Sequence, residues 1–160
     1  MKVKIKPLSE TFKMPIKGSE QAACYDCYAD RIEFSEDGMV TCFLGFATEI
    51  EPGYKGVIVP RSNISKYGWC LCNSIGIVDS DFRNEWQVRF RPLEVISKSY
   101  DKTFVLYTPV EYPIIQFPYQ IGERCCQIYF EKIQEPEFII SGGLSDTKRD
   151  LGGFGSSGLK

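Results

Sequence analysis

An all-β fold, a sandwich or barrel of the jelly-roll kind, is what the sequence predicts. Three features carry that expectation: short runs of β-branched and aromatic residues, turn-forming stretches between them, and no window long enough for a substantial amphipathic helix. In chain order the runs are VKIKP (3–7), MVTCFLGFATEI (39–50), KGVIVP (55–60), WQVRF (86–90), FVLYTPV (104–110), CCQIYFEKI (125–133) and EFII (137–140). SEDG, EPGY, SKYG and QIGE supply turns between them, since Gly, Pro, Asp and Ser either pre-set or tolerate turn torsions. A short helix fits only at SNISKY (62–67), and no repeat of fixed period occurs.

Size and composition bound the rest. With 160 residues, 43% hydrophobic and 25% charged, the chain fits one globular core. The N-terminal MKVKIKPLSETF alternates apolar with basic residues and contains no signal-like or membrane-spanning stretch, so a cytoplasmic protein with no membrane association is expected. Seven cysteines, an odd number without secretory features, read as free thiols in a reducing compartment rather than as disulfides. The spacings Cys24-x-x-Cys27 and Cys70-x-Cys72 lack the paired knuckles of structural zinc and the βαβ setting of a redox motif.

Nineteen basic residues against 21 acidic give a net charge of −2, which excludes the broad positive field that direct nucleic-acid binding needs. There is no histidine, so Ser/His/Asp chemistry and most transition-metal sites are excluded as well. Any chemistry must run on carboxylates, hydroxyls, thiols or a hard metal ion.

The last twenty residues, SGGLSDTKRDLGGFGSSGLK, hold six of the fourteen glycines and no β-branched apolar residue. Such a tail buries too little to order by itself. Its backbone N–H groups, its serines and the nearby Lys148 and Arg149 nonetheless suit phosphate binding. Gly153, Gly155 and Gly158 match G-x-G-x-x-G in form, but no strand leads in and the chain ends two residues later, so a dinucleotide fold is rejected. No phosphate-binding P-loop motif occurs either.

Four other segments stand out: AACYDCYAD with Asp26, PRSNIS with Arg61 and Ser62, NSIGIVDSDFRNEW with Asn73, Asp79, Asp81 and Phe82, and GERCCQIYF with Arg124 and Gln127. Each alone has an ordinary reading. Asp79 after the strand-like GIV suits a turn, Arg61–Ser62 a solvated strand end, Gln127 a hydrogen-bonded edge position, and Phe154 an anchor for the tail.

Together and in this order, with R-x-x-G-G-F-G-S-S-G closing the series at Arg149, these segments resemble the five motifs of the trimeric dUTPase family from residue 22 nearly to the C-terminus. The resemblance implies the distorted, jelly-roll-like β-barrel (β-clip) of that family, spanning residues 1–140, with residues 141–160 as a flexible lid carrying the fifth motif. It implies hydrolysis of dUTP to dUMP and pyrophosphate, which keeps uracil out of DNA and supplies dUMP for dTMP synthesis. It implies Asp79 as the general base that activates water, and Arg61, Ser62 and Gln127 as groups that position the phosphates. Asn73, with backbone near Gly76 on a β-hairpin, would read the uracil edge, and Phe82 would pack beneath the deoxyribose where tyrosine is usual. Arg149, Gly155, Ser156 and Ser157 would clamp the phosphates, while Phe154 stacks on the base. Asp26 would hold Mg2+ through water. A homotrimer with sites shared between copies is implied too.

Four positions depart from the family pattern: Cys24, Asn63, Asn84 and Asp150 stand where it has glycine. Asn and Asp tolerate left-handed torsions, so three of these changes are mild, whereas Cys24 has no such excuse. Asp150 sets an anion beside the expected clamp and should weaken it modestly. The stretch from about 91 to 120 exceeds a hairpin's needs and resembles the extra segment of phage-encoded dUTPases. It is either an added arm that makes a trimer contact or binds a protein partner, or a surface loop without a role. The competing functions are a dCTP deaminase-like enzyme and a regulatory homologue that has lost its chemistry. Against the former, Arg89 stands where those enzymes carry a catalytic glutamate.

Overall fold

The computed structural model describes residues 1–93, 116–148 and 151. The segment 94–115, most of the expected extra arm and the run FVLYTPV, lies outside the described residues. So do Arg149, Phe154, Gly155, Ser156 and Ser157 of the tail.

The described residues contain eleven strands and no α-helix, as expected. The strands are β1 (Val3–Pro7), β2 (Ile16–Lys17), β3 (Tyr25–Tyr28), β4 (Arg31–Phe34), β5 (Val40–Phe43), β6 (Phe46–Ile50), β7 (Tyr54–Pro60), β8 (Trp69–Leu71), β9 (Gly76–Val78), β10 (Gln87–Pro92) and β11 (Arg124–Lys132). SNISKY forms a 3-10 helix over Ser62–Tyr67, closed by Gly68 in the left-handed region (φ 67°). All ladders are antiparallel. They build a ribbon of β1 and β6, a four-stranded sheet in the order β4-β5-β10-β8, and a five-stranded sheet in the order β2-β3-β11-β7-β9.

Period-two alternation aims one face of each sheet inward. Val40 and Cys42 on β5 and Val88 and Phe90 on β10 are buried, while Gln87, Arg89 and Arg91 between them are exposed. On β11 the register slips between Arg124 and Cys126, and both Cys125 and Cys126 are buried. A β-bulge at such a slip is the usual way for neighbouring side chains to escape strict alternation.

Trp86, Phe46, Phe90, Leu44, Ile50 and Ile128 form the large-residue centre of the core. The Trp86 indole stacks at a tilt on Phe46, with centroids 5.5 Å apart, and its Nε1–H donates to Thr48 Oγ1 at 3.0 Å. Strand β7 passes so close that a Cβ on Gly56 would stand 2.5 Å from Trp86 Cη2, so a bare backbone is needed there.

All seven cysteines are free. Hydrogen bonding with Cys125, and then burial, pushes the thiols of Cys42 and Cys126 well up, so both stay neutral in the core.

Two sequence expectations need correction. EFII forms no strand: Phe138, Ile139 and Ile140 are 92%, 78% and 103% exposed, and among the described residues no strand pairs with them. Conversely, β2, β3, β4 and β8 arise where no run was recognised. YDCY was hidden by its central aspartate, which the sheet buries only because cations meet it.

Candidate active site

The sequence-predicted residues gather into two groups held by the five-stranded sheet. The first is built where β3, β11 and the end of β7 lie side by side. Register sets Asp26 opposite Gln127 and Gln127 opposite Val59, with Cys126 opposite Pro60, so Arg61 emerges from β7 beside this pair. Asp26 is 4% exposed. Its Oδ1 accepts from Gln127 Nε2 at 3.0 Å and lies 3.3 Å from Arg61 Nε, while Oδ2 accepts from Arg124 Nη1 at 3.1 Å. A buried carboxylate is tolerated only with such partners.

Arg61 is less well served. Its Nη1 donates to the Arg124 carbonyl at 3.3 Å, but its buried Nε, though close to Asp26, is not aligned to donate a hydrogen bond. Donor capacity is therefore left over for an anion. Ser62, the first residue of the 3-10 helix, is exposed, and its hydroxyl makes no hydrogen bond among the described residues. Ile64, buried, pins that helix to the core, and Asn63 Oδ1 accepts from Tyr119 O–H at 3.0 Å.

The second group lines a trough beside β9. A cavity of about 160 Å3 is walled by Asn73, Gly76, Asp79, Phe82 and Gln87 among others. It adjoins one of about 430 Å3 reaching past Asn73 and Gly76 to Cys72, Arg89 and Met39. Gly76 is where β9 presses on β7: a Cβ there would come to 3.1 Å from Ile58 Cβ. Asn73 sits in a tight turn in which Ser74 takes a left-handed φ of 59° and Ser74 N–H donates to the Leu71 carbonyl at 3.2 Å. The expected hairpin is not what carries it. β8 pairs with β10 and β9 with β7, so the turn crosses between sheets because each flanking strand finds a longer partner elsewhere.

Asp79 is exposed at the lip of the trough, at the start of a turn in which its carbonyl accepts from Phe82 N–H at 3.2 Å. Arg83, which the sequence did not single out, holds that turn: Nη1 reaches the carbonyls of Ser80 at 2.8 Å, Phe82 at 3.2 Å and Thr48 at 3.4 Å. Arg124 stands out in GERCCQIYF, but the sequence gives it no role. Nothing in the sequence says that it shares Asp26 with Arg61.

The two groups lie at opposite ends of β7. Val78 pairs with Gly56, which sets Asp79 level with Lys55, whereas Arg61 follows Pro60, so Asp79 and Arg61 are six strand residues apart along β7, about 20 Å at the usual rise. No hydrogen bond or ion pair among the described residues links them.

No trio of Cys, Asp and Glu side chains among the described residues could chelate a metal ion. Asp26, a lone carboxylate, is compatible with contact through a metal's own water. Oδ2 has a single donor and faces Gly18, where even a Cβ would stand 3.7 Å away.

Residues 10–95 match the dUTPase family model. Deoxyuridine 5'-triphosphate nucleotidohydrolases of Paramecium bursaria Chlorella virus 1 and Nautilia profundicola are 31% and 32% identical, over 97% and 99% of this chain and 96% and 99% of theirs. Among solved structures, the Staphylococcus bacteriophage 80alpha dUTPase with dUpNHpp shares the fold at a TM-score of 0.77 and 21% identity, over 99% of each chain. The dUTPase of phage phi11 of S. aureus, described with a structural Mg(II) ion, matches at a TM-score of 0.70 and 17% identity, over 91% of this chain and 100% of that one. With a family match over more than half its length and relatives aligned from end to end, this chain belongs to the dUTPase family.

Proposed function

We propose that the protein hydrolyses dUTP to dUMP and pyrophosphate, with Asp79 as general base. The observation that carries this reading is the position of Asp79 at the lip of a trough that also holds Asn73, Gly76 and Phe82. A nucleoside seated there would bring its α-phosphate out beside the carboxylate. Asp79 would take a proton from water as the water oxygen bonds to the α-phosphorus. The bond from that phosphorus to the bridging oxygen breaks in line, and pyrophosphate leaves.

Asn73, which both donates and accepts, would match the mixed edge of uracil, and the Phe82 ring would leave a ribose 2'-hydroxyl unpaired. Arg61, Gln127 and the free Ser62 hydroxyl would hold phosphate oxygens. Magnesium arriving with the triphosphate, held to Asp26 through water, would withdraw charge from the phosphates. Arg149, Ser156 and Ser157, with Phe154 and Gly155, would close the site from the tail, at residues 141–160, over the barrel of residues 1–140.

The separation of Asp79 from Arg61 supports a site shared between copies, with the nucleoside trough of one meeting the arginine cluster of another in a homotrimer. Pairing an exposed Asp79 with a neighbour's surface would also dry the carboxylate, as a general base requires. Incubation with dUTP and Mg2+ should release pyrophosphate and dUMP, not ammonia. D79N should bind a non-hydrolysable dUTP analogue yet turn nothing over, and normal turnover would remove Asp79 from this role. Sedimentation at micromolar concentration should give three times the chain mass of 18.2 kDa.

A further inference from the structure

Beyond the residues that bind and cut the substrate, we infer that Arg89 is a specificity-determining residue that selects a pyrimidine with a carbonyl, rather than an amino group, at position 4. The inference rests on the trough being the base site of the function proposed above.

Four observations lead to it. First, the two adjoining cavities share Ile58, Asn73, Gly76 and Gln87, so they form one trough with Asp79 and Phe82 at one end and Arg89 with Cys72 at the other. In a pyrimidine nucleotide the sugar leaves from N1 and C4 lies directly across the ring. A base whose sugar sits by Asp79 and Phe82 therefore aims position 4 towards Arg89.

Second, Gln87 and Arg89 are exposed on β10, and both line the trough, together with Val88 between them. Third, Arg89 is tied to the turn that carries Asn73, because its carbonyl accepts from Cys72 N–H at 2.9 Å. Fourth, no carboxylate among the described residues pairs with its guanidinium. The nearest in register, Glu33, lies one strand further out, opposite Thr41 of β5, and is engaged by Arg31.

A guanidinium has five donors and no acceptor. Facing the 4-carbonyl of uracil it makes a charge-assisted hydrogen bond; facing the 4-amino group of cytosine it sets donor against donor. A site built to donate rejects an analogue that cannot accept, because the unmet donor carries its desolvation penalty. Asn73 does not supply this selectivity alone, since a side-chain amide can turn to offer either its oxygen or its nitrogen.

The test is calorimetric binding of α,β-imido dUTP and α,β-imido dCTP, with Mg2+, to the full chain and to R89A, R89Q and R91A, each checked for an unchanged thermal melt. R91A removes an outward-facing positive charge from the same strand, two residues further along. The ratio of dUTP-analogue to dCTP-analogue affinity should fall about tenfold or more in R89A. It should fall to a similar extent in R89Q, whose amide can turn to serve either base, and stay unchanged in R91A. An unchanged ratio in both R89A and R89Q, an equal fall in R91A, or a wild-type protein that does not distinguish the two analogues would overturn the assignment. Selective binding of the dUTP analogue without release of pyrophosphate from dUTP would overturn the proposed hydrolysis and leave the role of Arg89 standing.

Discussion

Replacing Asp26 by asparagine separates charge from shape at the most constrained point of the site. The side chain keeps its size and still offers Oδ1 to Gln127, so the loss is confined to the negative charge facing Arg61 and Arg124. Removing one partner of a fully buried ion pair costs about 3–5 kcal/mol. Here the Arg61 and Arg124 side chains are 24% and 45% exposed, so water takes over much of the solvation of Arg124. What remains is mostly the Arg61 contact, whose Nε is buried with no other acceptor, and about 2 kcal/mol is expected. With a urea m-value of about 2 kcal/mol/M, the unfolding midpoint should drop by about 1 M at fixed protein concentration. Freed from its anchor, Arg61 should also lose its aim, and a misplacement of that kind costs about 100-fold in kcat/KM for dUTP. A midpoint within error of wild type, or full kcat/KM in a destabilised variant, would refute the reasoning. The first outcome would mean that the three-way contact carries no net stability, the second that Arg61 needs no positioning.

Three other perturbations bear on separate parts of the structure. In Gly56→Ala the new Cβ would meet a rigid buried indole at 2.5 Å. Overpacking of this sort costs about 1–3 kcal/mol, so a lower melting temperature with altered tryptophan fluorescence is expected, and an unchanged melt would mean that β7 and Trp86 separate freely. Ending the chain at Lys148 removes the guanidinium of Arg149 and the ring of Phe154 while leaving the body intact. Losing a charge-assisted hydrogen bond and a base stack should lower kcat/KM by about 100-fold or more without moving the unfolding midpoint, and unchanged kinetics would deny the tail its part. Burial raises the Tyr119 hydroxyl above its ordinary value of 10.0, and hydrogen bonding with Cys125 and burial raise the Cys42 and Cys126 thiols above 9.0. These groups are neutral in both states at pH 7 and ionise first in the unfolded chain, so their contribution is constant near neutral pH and stability should decline as pH rises beyond about 9. Tyr119→Phe should flatten the part of that decline above pH 10, as read from urea midpoints.

Much of the sheet framework was legible because its strands are dense in β-branched and aromatic residues, as in KGVIVP and CCQIYFEKI. YDCY was not, since an aspartate in a strand centre looks like a turn until its cations are known. EFII failed in the opposite sense: its composition is that of a strand, yet pairing needs a neighbouring backbone and the described residues offer it none. For the site, residue types and order pointed to Asp26, Arg61, Ser62, Asn73, Asp79, Phe82 and Gln127, but not to Arg83, and they gave Arg124 no role. A cation that holds backbone carbonyls, or shares a carboxylate across strands, leaves no local pattern.

By itself the sequence determined the all-β class, the free thiols, the absence of histidine chemistry and the motif residues, because these depend on composition and on order along the chain. Only the tertiary structure decided that Arg61 and Arg124 share one buried carboxylate, that Asn73 sits on a turn between sheets, and that Asp79 lies a strand's length from Arg61. Each of these depends on which strands become neighbours and in what register, and that choice is made by packing across the whole core, to which no stretch of a few residues is privy.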